Sequence, residues 1–220
     1  MRSLIFKTAL TILLSSASLL CAAATNQSPP NSKEALERLM KGNERYSKDR
    51  LIHPNRSQAR RESLSEMQAP FAIVLGCSDS RVSPILVFDQ GIGDIFEVRI
   101  AGNVAGPIEV ASVEYAAKFL GSSLIFVLGH ENCGAVSAVL KGQTQDIEPV
   151  ADKIKEALKI EQKLSDNALE NAIKANVHNV VKQLRAIPFI AQLIKEKKLE
   201  VVGGYYKLES GKVELCCDLP

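Results

Sequence analysis

Two short runs in which every side chain is apolar, Phe71-Ala72-Ile73-Val74-Leu75 and Leu124-Ile125-Phe126-Val127-Leu128, narrow the folds open to this chain more than any other feature. A strand with one wet face alternates apolar and polar residues, whereas a strand covered on both faces has no need of polar positions. Ile95 to Ile100 is a third strand candidate. Between it and the second apolar run, Pro107 to Leu120 reads as a helix, with proline at its start, Gly121 just past its end and an apolar stripe of Val110, Val113, Ala117 and Leu120. Cys133 to Leu140 begins another helix, and Val150 to Lys198 is helical in pattern, interrupted at Asp166 and Pro188. Leu199 to Tyr206 and Lys212 to Cys216 read as two strands joined by the turn Glu209-Ser210-Gly211. Strands alternating with helices predict an α/β fold: a mainly parallel β-sheet flanked by helices, with an antiparallel C-terminal strand at one edge.

Ahead of this body, Asn31 can cap a helix with Glu34 as its capping-box partner, and Leu36, Leu39 and Met40 give that helix one apolar stripe. Such an N-terminal helical arm either packs on a partner subunit or covers its own domain. A mostly polar stretch, Lys48 to Glu66, follows it. Thr25 to Ser32, with Pro29-Pro30, reads as a linker. The first 24 residues read as a secretory signal peptide: Arg2 and Lys7 are basic, Ala9 to Leu20 is apolar but for Thr and Ser, and Ala22-Ala23-Ala24 offers a cleavage site. The alternatives are an uncleaved anchor and, at Cys21, lipidation, against which stand the large Leu19 and Leu20 just before it. The expected organisation is therefore a signal peptide over 1–24 and a single domain over 25–220, in a periplasmic or secreted protein without stable membrane insertion after cleavage. With 46% apolar residues in 220 a core of ordinary size is available, and a net charge of +2 without a basic run implies no nucleic-acid partner.

Two segments at the C-terminal ends of the predicted strands carry the chemistry, at the sheet edge where open α/β folds bind ligands. They are Gly76-Cys77-Ser78-Asp79-Ser80-Arg81 and Gly129-His130-Glu131-Asn132-Cys133-Gly134. Cys77, His130 and Cys133 form a Cys2His set that suits zinc and leaves a fourth position open. Taken singly, each has an ordinary alternative: a cysteine after an apolar strand is often a small buried hydrophobe, and His-x-x-Cys also arises by chance. Asp79 and Arg81 are close enough for the guanidinium to orient the carboxylate, or merely to brace a loop.

Cys-Ser-Asp-Ser-Arg followed by Gly-His-x-x-Cys-Gly resembles the signature of the β-class carbonic anhydrases, most densely from Gln68 to Leu140, and other positions resemble the plant-like branch. The resemblance implies one zinc ion per subunit on Cys77, His130 and Cys133, and a catalytic dyad of Asp79 and Arg81. It also implies that Asp79 can become a fourth ligand in a closed state. Gln68, Phe96, Tyr115 and Gly134 match substrate-binding positions, Gln68 acting across a subunit interface. The implied activity is reversible hydration of carbon dioxide to bicarbonate and a proton by a homodimer or homotetramer in which the N-terminal arm wraps the neighbouring subunit. Two thiolates leave more negative charge on the metal than three histidines would, which favours hydration on the alkaline side. Arg99-Ile100-Ala101-Gly102-Asn103 has a bacterial form that departs from the plant-like pocket at Ile100 and Ala101. The chain has no tryptophan, so it lacks the one that builds an inhibitory bicarbonate site in a bacterial subgroup. Three other readings stay open: a non-catalytic zinc protein, a hydrolase of a carbon dioxide analogue on the same fold, and thiol chemistry at Cys77. Neither His53 nor His178 is assigned as a proton shuttle, and Cys216-Cys217 has no assigned role beyond packing, a surface thiol or an intermolecular bridge.

Overall fold

A computed structural model of the chain describes residues 30–158 and 167–216. The proposed signal peptide, most of the linker, the interruption at Asp166 and Cys217 lie outside the described residues.

Among the described residues, five strands form one sheet in the order β2-β1-β3-β4-β5. They are β1 (Ala72–Gly76), β2 (Ile95–Arg99), β3 (Leu124–His130), β4 (Glu200–Tyr206) and β5 (Val213–Leu215). β1, β2, β3 and β4 pair in parallel, and β5 closes the edge antiparallel to β4. Every residue of β1 and β3 is buried. The absence of a polar position in each apolar run has this cause: both strands are sandwiched between helical layers.

Alternate side chains point to opposite faces. Ile73, Leu75, Ile125 and Val127 pack on one side with Val113, Val177, Val181, Leu184 and Ile190. These come from α4 (Pro107–Phe119), α7 (Ala168–Arg185) and α8 (Pro188–Lys195). Val74, Phe126 and Leu128 pack on the other side with Ala35, Leu39, Val87 and Phe88, which belong to α1 (Ser32–Ser47), α3 (Pro84–Val87) and the residue after it.

Helix α1 begins at the expected capping box, Asn31 with Glu34. It covers the sheet of its own chain. Ala35 and Leu39 are fully buried, and Asn43 donates to Val87 O (3.1 Å) and Gly211 O (2.8 Å) while accepting from Val213 N–H (2.8 Å). The polar stretch 48–66 contains a helix that the sequence pattern does not reveal, α2 (Gln58–Ser63), which buries no residue of its own. Its Arg60 donates to Ile92 O (3.0 Å), and the buried carboxylates of Asp89 and Asp94 collect the chain around it. Asp89 accepts from Arg45 and from the backbone N–H groups of Ile52 and His53, and Asp94 from Arg38 and Asn55. Two further helices, α5 (Gly134–Leu140) and α6 (Glu148–Leu158), stand over the C-terminal edge of the sheet, as does a 3-10 turn at Ala101–Asn103.

Candidate metal centre

Cys77 follows β1 directly, His130 is the last residue of β3, and Cys133 caps α5. Because β1 and β3 are neighbours, with Gly76 opposite Leu128, the two strand ends meet. Asn132 adopts a left-handed φ of 53°, a conformation that asparagine tolerates, and this reverses the chain so that Cys133 returns to His130. Gly129 lacks a side chain where α7 presses closest: a Cβ there would lie 2.5 Å from Val177 Cγ2.

The ligand atoms of Cys77, His130 and Cys133 lie within 4.8 Å of one another, and all three residues are buried. His130 Nδ1 lies 2.9 Å from Glu131 O. A carbonyl only accepts, so Nδ1 carries the proton and Nε2 presents a lone pair. That Nε2 is buried with no hydrogen-bond partner among the described residues. Asp79 Oδ2 lies 3.9 Å from it.

The two sulfurs oppose each other's ionisation. The Cys77 thiol is drawn well below its ordinary value, first by the hydrogen bond with Cys133, with the backbone N–H groups of Asp79 and Gly102 adding to it, against the effect of burial. Cys133 is pushed up, by the same bond and by burial. A divalent cation relieves this opposition by letting both sulfurs ionise. A buried lone-pair imidazole nitrogen otherwise left orphaned, beside two buried cysteine sulfurs within 4.8 Å, fits a metal ion of the zinc type.

Beside this cluster, Asp79 and Arg81 form a fork. Arg81 Nε donates to Asp79 Oδ1 (2.9 Å) and Nη2 to Oδ2 (2.7 Å), while the Arg81 backbone N–H adds a third bond to Oδ1 (2.9 Å). Arg81 Nη2 also reaches Asn132 O (3.3 Å), tying the two motifs together. The fork holds the Asp79 carboxyl well below the usual carboxylate range, although partial burial opposes it. Arg99, at the end of β2, donates to Cys77 O (3.1 Å) and Asp79 O (2.7 Å) and so clamps the loop that carries both.

Of the four expected substrate-contacting positions, one lies at this centre. Gly134 opens α5 beside Cys133, and a Cβ there would meet nothing within 4 Å. Phe96, on the edge strand β2, pairs with Ile73, four residues or about 13 Å of strand from Cys77. Tyr115 is half exposed and packs against Phe96 as a tilted ring pair, with centroids 6.2 Å apart. Gln68 is exposed before the opposite end of β1. Within one chain, the structure separates these three residues from the cysteines. It also adds Arg99, Gly102 and Glu131, which sequence reasoning missed as contacts of the ligands. Arg99 and Gly102 stand in a segment whose form is noticeable in sequence, but nothing there shows that they turn back on Cys77.

A family model described as carbonic anhydrase matches residues 72–213. A carbonic anhydrase of Mycolicibacterium smegmatis is 36% identical over 195 residues, covering 84% of this chain and 95% of that protein. Among solved structures, the β-carbonic anhydrase CcaA superposes with a TM-score of 0.65 at 28% identity, over 82% of this chain and 94% of its own. One of two tetrameric β-carbonic anhydrases from Sordaria macrospora does so with a TM-score of 0.57 at 26% identity, over 70% and 84%.

Proposed function

The chain belongs to the β-carbonic anhydrase family, and on that premise we propose that it hydrates carbon dioxide reversibly to bicarbonate and a proton, with one zinc ion per subunit on Cys77, His130 and Cys133. The single observation that carries the metal assignment is the buried, unpartnered His130 Nε2 facing two cysteine sulfurs. Zinc in that position supplies Lewis-acid activation of water near neutral pH.

The protein's own groups do the rest. Asp79, kept ionised by Arg81, can only accept a hydrogen bond. It therefore fixes the direction of the proton on the attacking water and leaves an oxygen lone pair facing the carbon dioxide carbon. Both Asp79 oxygens are engaged by Arg81, which favours a carboxylate beside the ligands over one that joins them in a closed state. Gly134 opens α5 with free space where a Cβ would stand, and its backbone N–H is the group that would meet a substrate oxygen there.

Gln68, Phe96 and Tyr115 supply the remainder of the pocket from a second copy of the chain. Their distance from Cys77 within one subunit supports this reading, as does the tetrameric assembly of the Sordaria relatives. The assembly is thus a homodimer or a homotetramer. Residues 1–24 direct export and are removed, placing the enzyme in the periplasm or outside the cell, a reading that N-terminal sequencing of the protein from a periplasmic extract tests.

Stopped-flow measurement of carbon dioxide hydration by the purified chain tests the activity. Hydration that is abolished by a zinc chelator, restored by zinc and lost in Cys77→Ser supports it. A chain that carries zinc but does not hydrate carbon dioxide at any pH would turn the reading towards a carbon dioxide analogue or a non-catalytic metal site. Activity that survives the chelator would favour thiol chemistry at Cys77.

A further inference from the structure

Behind Cys77 stands a second row of contacts that reaches helix α7. The backbone N–H of Gly102 donates to Cys77 Sγ at 3.3 Å. Gly102 holds a left-handed φ of 67°. A Cβ there would lie 2.9 Å from Ile154 Cδ1 and 3.3 Å from Ala135 Cβ, so packing as well as conformation reserves the position for glycine. The Gly102 carbonyl accepts from Asn176 Nδ2 at 2.7 Å.

Asn176 is an unusual residue for its place. It belongs to the apolar face that α7 turns inward, beside Ile173, Val177 and Val180, and it is 1% exposed. Its Oδ1 is buried without a hydrogen-bond partner among the described residues. Burying an amide whose oxygen stays unpaired opposes folding. The polar contact that this side chain supplies is its N–H to Gly102. The same helix presses Val177 and Ile173 against Gly129, next to His130, so α7 backs the segments that carry two of the three ligands.

We infer that Asn176 is a positioning residue of the metal centre: by holding the Gly102 carbonyl it keeps the Gly102 N–H aimed at Cys77 Sγ, and so limits the negative charge that this sulfur passes to the metal. The inference rests on reading Cys77 as a metal ligand. A thiolate that accepts a hydrogen bond donates less strongly, and the metal remains a better Lewis acid for it. With two thiolates in the ligand set, restraining one of them matters for activating water at moderate pH.

Cobalt in place of zinc reads the donor strength of the sulfurs through its thiolate-to-metal charge-transfer band. In the full-length chain, Asn176→Ala and the near-isosteric Asn176→Asp are expected to move that band to lower energy. They are also expected to release metal to a chelator about 10- to 100-fold faster, since Cys77 is held less firmly. Val180→Ala, which removes packing from the same helix without touching Gly102, is expected to leave the band in place. An unmoved band in the folded Asn176 variants, or an equal shift in Val180→Ala, overturns the inference. A measurement on the unaltered chain serves if neither Asn176 variant folds: with an NMR-active cadmium isotope bound, coupling between the metal and the Gly102 amide proton is expected, and its absence overturns the inference too. Failure of the unaltered chain to bind cobalt or cadmium at all would instead remove the metal reading on which the inference rests.

Discussion

Gly129→Ala is expected to destabilise the protein by crowding rather than by backbone strain, and Val177→Ala is expected to relieve it. The added methyl would stand 2.5 Å from Val177 Cγ2 and 3.1 Å from Ile173 Cγ2, two residues of α7 buried against β3. Overpacking of this kind costs about 1–3 kcal/mol. The lost freedom of the unfolded chain returns about 0.4–1 kcal/mol, so the net loss is at most about 2.6 kcal/mol, and an approach of 2.5 Å to a stiff β-branched side chain puts it in the upper part of that range. Val177→Ala alone removes two buried methylene equivalents at about 0.8 kcal/mol each, hence about 1.6 kcal/mol before any cavity cost. In the double variant the new methyl occupies space that the valine vacated. The combined loss should therefore fall short of the sum by about 1 kcal/mol or more. Urea denaturation of the four proteins measures this directly, and in a domain of this size each kcal/mol moves Tm by about 2–4 °C. Metal affinity should fall in Gly129→Ala, because α7 pushed off β3 displaces the neighbouring His130, and recover in the double variant. Strictly additive losses, or a Gly129→Ala protein within about 0.5 kcal/mol of the parent, would refute the tight approach of α7 to the strand that carries His130.

Arg81→Ala frees Asp79 from its fork, and carbon dioxide hydration should drop about 10- to 100-fold while metal content stays at the parent level; equal activity would deny the dyad its role. Asn43→Ala removes three buried hydrogen bonds that join α1 to the end of α3 and to the β4–β5 turn. At about 1 kcal/mol for each bond, plus the cost of the groups left unpaired, urea denaturation should show a loss of about 3–4 kcal/mol. Asp89 is held below the ordinary carboxylate value because Arg45 and the N–H groups of Ile52 and His53 together outweigh the large opposing effect of its burial. Its contribution to stability is therefore present above the unfolded value of about 3.9 and is lost as pH falls through the lower folded one. Asp89→Asn should be less stable at neutral pH yet lose stability less steeply on acidification, which thermal melts from pH 7 downward would show.

The parts of this fold legible in sequence are those set by local physical chemistry. β1 and β3 announce themselves because strands covered on both faces have no polar positions, and α1 and α4 because their ends carry a capping box, a proline or a following glycine. Helix α2 escaped notice because it buries nothing and takes its fixed place from Arg60 and the carboxylates around it. The three ligand candidates could be read because each sits at a strand end or helix start. The contacts of Gly102, Arg99 and Asn176 could not, because they join residues 25, 22 and 74 positions apart that only the folded chain brings together. Asn176 does leave one trace in sequence, a lone amide in the apolar stripe of α7. The separation of Phe96 from Cys77 is likewise a matter of register, which the strand pattern alone does not give.

The metal centre is tested most directly by zinc K-edge X-ray absorption on the purified chain. Two sulfur ligands at about 2.3 Å and one nitrogen at about 2.0–2.1 Å, with one zinc per chain and loss of a sulfur in Cys133→Ser, is the expected result. A zinc shell without sulfur, or one unchanged in Cys133→Ser, would contradict the assignment of Cys77, His130 and Cys133 as its ligands.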